Sequence, residues 1–159
     1  MASNPSGPLS VGEATARNFD PERDLPFCAA AAAAFAAEAA VKFLPVNPEH
    51  VENVLARPNV IIGIAEVEGR QVGAVGFEFS PYAWNEDVLV AGELFWWVDP
   101  AAVRSGAALA LKKWAKIALA ASGAHAQRWS AIHTSPDAVH AIYRRDKLVP
   151  LQIDYWGSL

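Results

Sequence analysis

At 159 residues the chain suits one domain, and 53% hydrophobic with 19% charged residues is the content of a packed globular protein, too apolar for a disordered one. Thirteen Lys and Arg against seventeen Asp and Glu give a formal charge of -4, which removes any general electrostatic attraction to phosphate backbones. A lone cysteine, Cys28, excludes a disulfide framework and a multi-cysteine zinc site, fits a reducing compartment, and beside an alanine run reads as a small core filler.

The opening MASNPSGPLS carries neither a basic nor an apolar signal region, so residues 1–10 read as a loose lead-in to a single domain spanning 1–159. The most apolar run, Cys28 to Val41, is 14 residues long and contains Glu38. It falls short of the roughly 20 residues needed to cross a bilayer, and the expected location is the cytoplasm. Leu9 to Ala16 alternates weakly and is read as a first strand. Asp20 before Pro21 caps an alanine-rich helix to Phe43, with Phe27, Ala31 and Phe35 on its buried stripe. Pro45 and Pro48 end that helix, and a second short one runs from Asn47 to about Ala56.

Val60–Glu68 and Gln71–Phe79 are strand-like runs joined by a tight turn at Gly69-Arg70. Glycines at 63, 73 and 76 predict close approach of another group to those strands. Ser80–Asp87 reads as a loop carrying Tyr82 and Trp84. Val88–Val98 is the third strand; alternation puts Glu93 on one face with Phe95 and Trp97, unless a bulge intervenes. A helix follows from Gly106 to Ser122, with Ala107, Leu111 and Trp114 inward and Lys112, Lys113 and Lys116 on the wet face; Gly123 closes it. Gln127–His133 is a strand expected to run parallel to Val88–Val98. Ser135 and Pro136 open a helix through Tyr143 and Arg145, and Val149–Trp156 is a last strand. The fold class is α+β, a mixed, mostly antiparallel sheet of about six strands with one parallel pair and four helices.

A strand, a glycine-containing loop and a helix make a ready anion site, because the unpaired N–H groups of the helix start point at the ligand. The loop lacks the P-loop and Rossmann glycine patterns, so taken alone the unit reads first as an ordinary crossover and only second as a phosphate site. His133, Asp137 and His140 lack a third firm ligand, and no metal is expected.

Val98-x-Pro100, Arg104-x-Gly106-x-Ala108-Leu109-x-Leu111, Trp114-Ala115, Gly123-Ala124, and Tyr143 four residues before Lys147-Leu148 together resemble the GNAT family of N-acetyltransferases, most of all the short forms of phage and prophage genomes. The resemblance covers about residues 20 to 156. It implies acetyl-CoA as acyl donor, with the pyrophosphate on the backbone of Val103, Arg104, Ser105, Gly106, Ala107 and Ala108. It places the pantetheine arm along Trp96, Trp97 and Val98, where an amide would polarise the thioester carbonyl. Glu93 matches a general-base position and Tyr143 the tyrosine that protonates the departing thiolate; the plainer readings are an ion-paired carboxylate and a core aromatic. Tyr82, Trp84 and His133 are candidates for the acceptor pocket. The implied activity is acetyl transfer to an amine of a small molecule or protein by direct attack in a ternary complex.

The sequence departs from the family pattern at three places: Val103 stands where Arg or Gln is usual, Pro136 where Asn is usual, and Lys147-Leu148 where Gly-Phe is usual. They motivate an alternative, a catalytically silent binding or assembly module, and the short C-terminus leaves a sheet edge for a second copy or a larger partner. An acetylating toxin acting on charged tRNA is disfavoured by the net charge, although Arg144, Arg145 and Lys147 form a small basic patch.

Overall fold

The computed structural model describes residues 13–38, 47–131 and 137–149. Strand β1 (Thr15–Asn18) is followed by helices α1 (Pro21–Glu38) and α2 (Pro48–Leu55). Next come strands β2 (Val60–Val67), β3 (Arg70–Tyr82) and β4 (Asn85–Val98), a 3-10 turn (Pro100–Ser105), helix α3 (Ala107–Ala121), strand β5 (Ala126–Arg128) and helix α4 (Asp137–Arg145). The five strands lie in sequence order, antiparallel except for the parallel β4–β5 pair. The expected α+β class and parallel crossover are therefore present. Most of the expected C-terminal strand, residues 150–156, and the first half of the expected first strand, residues 9–12, lie outside the described residues.

Alternating apolar residues give the sheet two buried faces. Ile62, Ile64, Ala74 and Phe95 meet Cys28 and Ala31 of α1 and Leu55 of α2. Ala65, Val67, Val75, Phe77 and Ala91 meet Ala107, Leu111, Ala115 and Leu119, whose spacing of four makes one stripe along α3. Full burial of a side chain such as Phe77 or Leu111 contributes about 1.5–3 kcal/mol each. The glycines predicted to admit close neighbours do so: a Cβ on Gly63 would clash with the Trp114 ring, and one on Gly76 would lie 2.6 Å from the Phe95 ring.

Several local expectations are corrected. The β2–β3 turn is Glu68-Gly69, one residue earlier than expected, with positive φ of 52° and 78° at its two residues; Arg70 already pairs with Val67. Ser80–Asp87 is mostly strand, since β3 runs through Tyr82 and β4 begins at Asn85, because cross-strand pairing extends a hairpin that polar composition alone marks as loop. Helix α1 hides a carboxylate as well as apolar residues. Asp24 is fully buried and accepts from Arg17 through Nη1 at 2.6 Å and Nη2 at 2.8 Å, from the Asp20 amide, and from Gln71. Glu66 also accepts from Arg17 and Arg23, so this network ties β1, α1, β2 and β3 together.

Candidate functional site

The site arises where two parallel strands part. Strand β5 pairs with β4 only at Val90–Ala126, Ala91–Gln127 and Gly92–Arg128. Past Gly92, β4 continues to Val98 paired with β3 alone, so its other edge carries backbone groups with no strand beside them among the described residues. A bulge stands at this point: Phe77 pairs with Glu93 and Gly76 with Phe95, leaving Leu94 as the extra residue. The bulge reverses the side-chain alternation. Phe95 and Trp97 pack on the α1 face, whereas Glu93, opposite Phe77, lies on the α3 face with Trp96. The expected grouping of Glu93 with Phe95 and Trp97 is therefore wrong, for the reason that the extra residue shifts register by one.

Glu93 is 7% exposed. Its Oε2 accepts from the Ser130 amide at 3.4 Å, and the Tyr143 hydroxyl of α4 lies 3.4 Å away. The single phenolic proton has a shorter acceptor in the Ser130 carbonyl at 2.7 Å. Burial pushes the Glu93 carboxyl up to about 7, against the opposing pull of the Ser130 and Tyr143 hydrogen bonds and the charges of Lys112 and Arg128. Burial, and then the neighbouring Glu93 charge, push the Tyr143 phenol up, so it keeps its proton at neutral pH. The pair thus comprises a carboxyl that exchanges its proton near neutrality beside a hydroxyl that holds one.

Aromatic rings wall this pair. Trp129 packs edge-on to Phe77 and Trp96, with centroids 4.9 and 5.5 Å apart, and Tyr143 stands 6.0 Å from Trp129 and 6.3 Å from Trp96. Lys112 is expected on the wet face of α3 but is 8% exposed. Its ammonium sits 3.2 Å from the centroid of Trp129 and 3.5 Å from Asp146. Burial pushes its pKa down, opposed by Asp146, and the cation–ring contact contributes up to about 2 kcal/mol. Lys112, Arg128, Trp129 and Ser130 carry no motif, and only the fold gathers them.

The 3-10 turn delivers Gly106 in the left-handed region, φ 82°, directly before α3. Ser105 Oγ accepts from the Ala107 amide at 3.3 Å. Helix geometry leaves the Ala108 and Leu109 amides without an acceptor one turn back. The alanines at 107 and 108 put only methyl groups at the helix start, while Val103 and Arg104 are exposed. This loop follows the unpaired edge of Trp96, Trp97 and Val98 directly, which fits an extended ligand ending in a phosphate group.

The other expected site residues fall elsewhere. Tyr82 and Trp84 sit at the tip of the β3–β4 hairpin, 45% and 86% exposed. Eight residues of β4, roughly 26 Å of strand at ~3.3 Å per residue, separate that tip from Glu93, so the fold does not bring them together. His133 and Pro136 lie outside the described residues.

Solved structures share this architecture. An aminoglycoside acetyltransferase, meta-AAC0020 from an uncultured soil metagenomic sample, is 19% identical with a TM-score of 0.69 over 92% of this chain and 95% of its own. A predicted acetyltransferase from Clostridium acetobutylicum crystallised with acetyl-CoA is 14% identical with a TM-score of 0.67 over 92% and 95%. The fold is that of the GNAT acetyltransferases. The GNAT fold also appears in a transcriptional regulator from Bacillus halodurans C-125, 20% identical with a TM-score of 0.71 over 92% and 100%. No protein-family model and no curated protein sequence matches the chain. Among the described residues no helix is long and apolar enough to cross a membrane.

Proposed function

We propose that this protein is an acetyl-CoA-dependent N-acetyltransferase acting on an amine of a small molecule or protein in the cytoplasm. The observation that carries the reading is the Glu93–Tyr143 pair, a buried carboxyl beside a half-buried phenol among aromatics where β4 and β5 part. The parting itself also supports it, since it leaves an unpaired strand edge leading to the helix start at Gly106. Trp96, Trp97 and Val98 would hold the pantetheine arm through their backbone, and the amides from Val103 to Ala108 would hold the pyrophosphate. Acetyl-CoA supplies a thioester, whose acetyl carbon forms a bond to the amine nitrogen as its bond to sulfur breaks.

Of the two protons the ammonium loses on becoming an amide, Glu93 takes the one lost before attack, which its value near 7 permits at neutral pH, and the second leaves the nitrogen for solvent as the amide forms. Tyr143 keeps its phenolic proton and presents it to the departing sulfur. Glu93 then returns a proton to Tyr143 across 3.4 Å, which restores both groups. Calorimetric titration with acetyl-CoA tests the reading: binding in the micromolar range is expected. Absence of heat at high micromolar concentration would sink it.

A further inference from the structure

We infer that the cavity between α3, β5 and the C-terminal end of α4 binds a small phosphomonoester, beside the acetyl-transfer pair, with whose wall it shares Lys112 and Trp129. The cavity is about 270 Å³ and is lined by Lys112, Lys116, Arg145, Lys147 and Asp146. Four cations and one carboxylate leave a surplus of three positive charges in a chain whose formal charge is -4. Asp146 is already engaged, 3.5 Å from Lys112 and 3.6 Å from Arg145. Among the described residues neither Lys116 nor Lys147 has a carboxylate within ion-pairing distance.

The backbone supplies an independent observation. Lys147 has φ 58°, in the left-handed region. The Lys147 amide donates to the Arg144 carbonyl and the Leu148 amide to the Tyr143 carbonyl, both at 3.0 Å, which closes α4 in the pattern that ordinarily has glycine at this position. A side chain there strains the backbone, and strain of this kind accompanies a group needed in one place. Here it fixes how Lys147 leaves the helix end, and Lys147 lines the cavity.

The chemistry of the ligand follows from charge and size. A phosphomonoester dianion matches the two ammonium groups that have no carboxylate beside them among the described residues, and the Arg145 guanidinium supplies donors suited to phosphate oxygens. A monocarboxylate would leave one lysine uncompensated. The volume lies just below the ~300–1,000 Å³ of pockets for drug-sized ligands, so the ester is small. Gln127 and the Trp129 ring complete the wall and offer a polar group and an apolar surface to the esterified portion.

The test uses the full chain and reads binding and stability, so it stands apart from acetyl transfer. Inorganic phosphate and a hexose 6-phosphate are titrated by calorimetry, with acetate at matched ionic strength as control. The hexose phosphate is expected to bind most tightly and acetate not measurably. Lys116→Ala and Lys147→Gly should each weaken hexose phosphate binding about tenfold or more. Without ligand, Lys147→Gly should raise Tm by about 1–3 °C as the strain is relieved. Phosphate binding no tighter than acetate, variants that bind as the wild type does, or a Lys147→Gly variant less stable than the wild type would each overturn the assignment. Binding of inorganic phosphate that excludes the hexose ester would overturn the ester class.

Discussion

Replacing Glu93 by Gln should stabilise the fold at alkaline pH. The buried carboxyl titrates near 7 in the folded protein against its ordinary 4.5. Between those values the folded state holds a proton that the unfolded chain has released, so stability falls as pH rises through the window. Below 4.5 both states are protonated and the penalty is absent; above 7 it is complete. Raising the carboxyl from 4.5 to about 7, at about 1.4 kcal/mol per tenfold change, amounts to roughly 3 kcal/mol. Glutamine carries no charge to bury and keeps an oxygen to accept from Ser130 and Tyr143, but its new amide group needs an acceptor and reduces the gain by about 1 kcal/mol. The net gain at pH 8 is then ~2 kcal/mol, or about 4–8 °C in Tm for a chain of this size. Urea unfolding of both proteins at pH 4 and pH 8 isolates the electrostatic part, because the amide cost is the same at both. The stability difference between variant and wild type should grow by about 3 kcal/mol from pH 4 to pH 8. A difference that stays constant with pH would refute the buried-carboxyl reasoning.

Other parts of the structure make separate predictions. Tyr143→Phe should lower kcat about 100-fold while acetyl-CoA affinity measured by calorimetry stays the same; a rate within twofold of wild type removes the hydroxyl from the mechanism. Gly63→Ala should destabilise by about 1–3 kcal/mol in urea, since its methyl group displaces the Trp114 ring, whose indole N–H donates to Asn18 at 2.8 Å. Asp24→Ala should cost about 3 kcal/mol, toward the low end for a broken buried pair because Arg17 is partly exposed. Burial alone would push the Asp24 carboxyl up, but the hydrogen bonds from Arg17 and the Asp20 amide outweigh it and hold it below its ordinary 3.8. Its contribution is therefore complete above that value and lost as pH falls below it, so the stability difference between Asp24→Ala and wild type should shrink in acid.

Element order was legible because each element announces itself locally: Pro21 and Pro48 open helices, glycines at 69, 106 and 123 sit at turns and caps, and the β2 and β3 runs are rich in Val and Ile. Glu93, Tyr143 and the Gly106 loop were legible through the resemblance. What escaped depends on register and burial between distant segments. The bulge at Leu94 moves Glu93 to the other face, and no local pattern marks it, since β4 is apolar on both sides there. Lys112 and Asp24 look like surface charges, yet each is buried against partners 34 and 7 residues away, Asp146 and Arg17. Tyr82 and Trp84 suggested a pocket by type alone; the length of the hairpin carries them away from the site.

The most direct measurement is the pH dependence of kcat for release of free CoA thiol in the presence of amine acceptors, for wild type and Glu93→Gln. The wild type is expected to rise through an apparent pKa of about 7, and the variant to lose both that limb and about 100-fold in rate. A variant with the wild-type rate and profile would contradict the account.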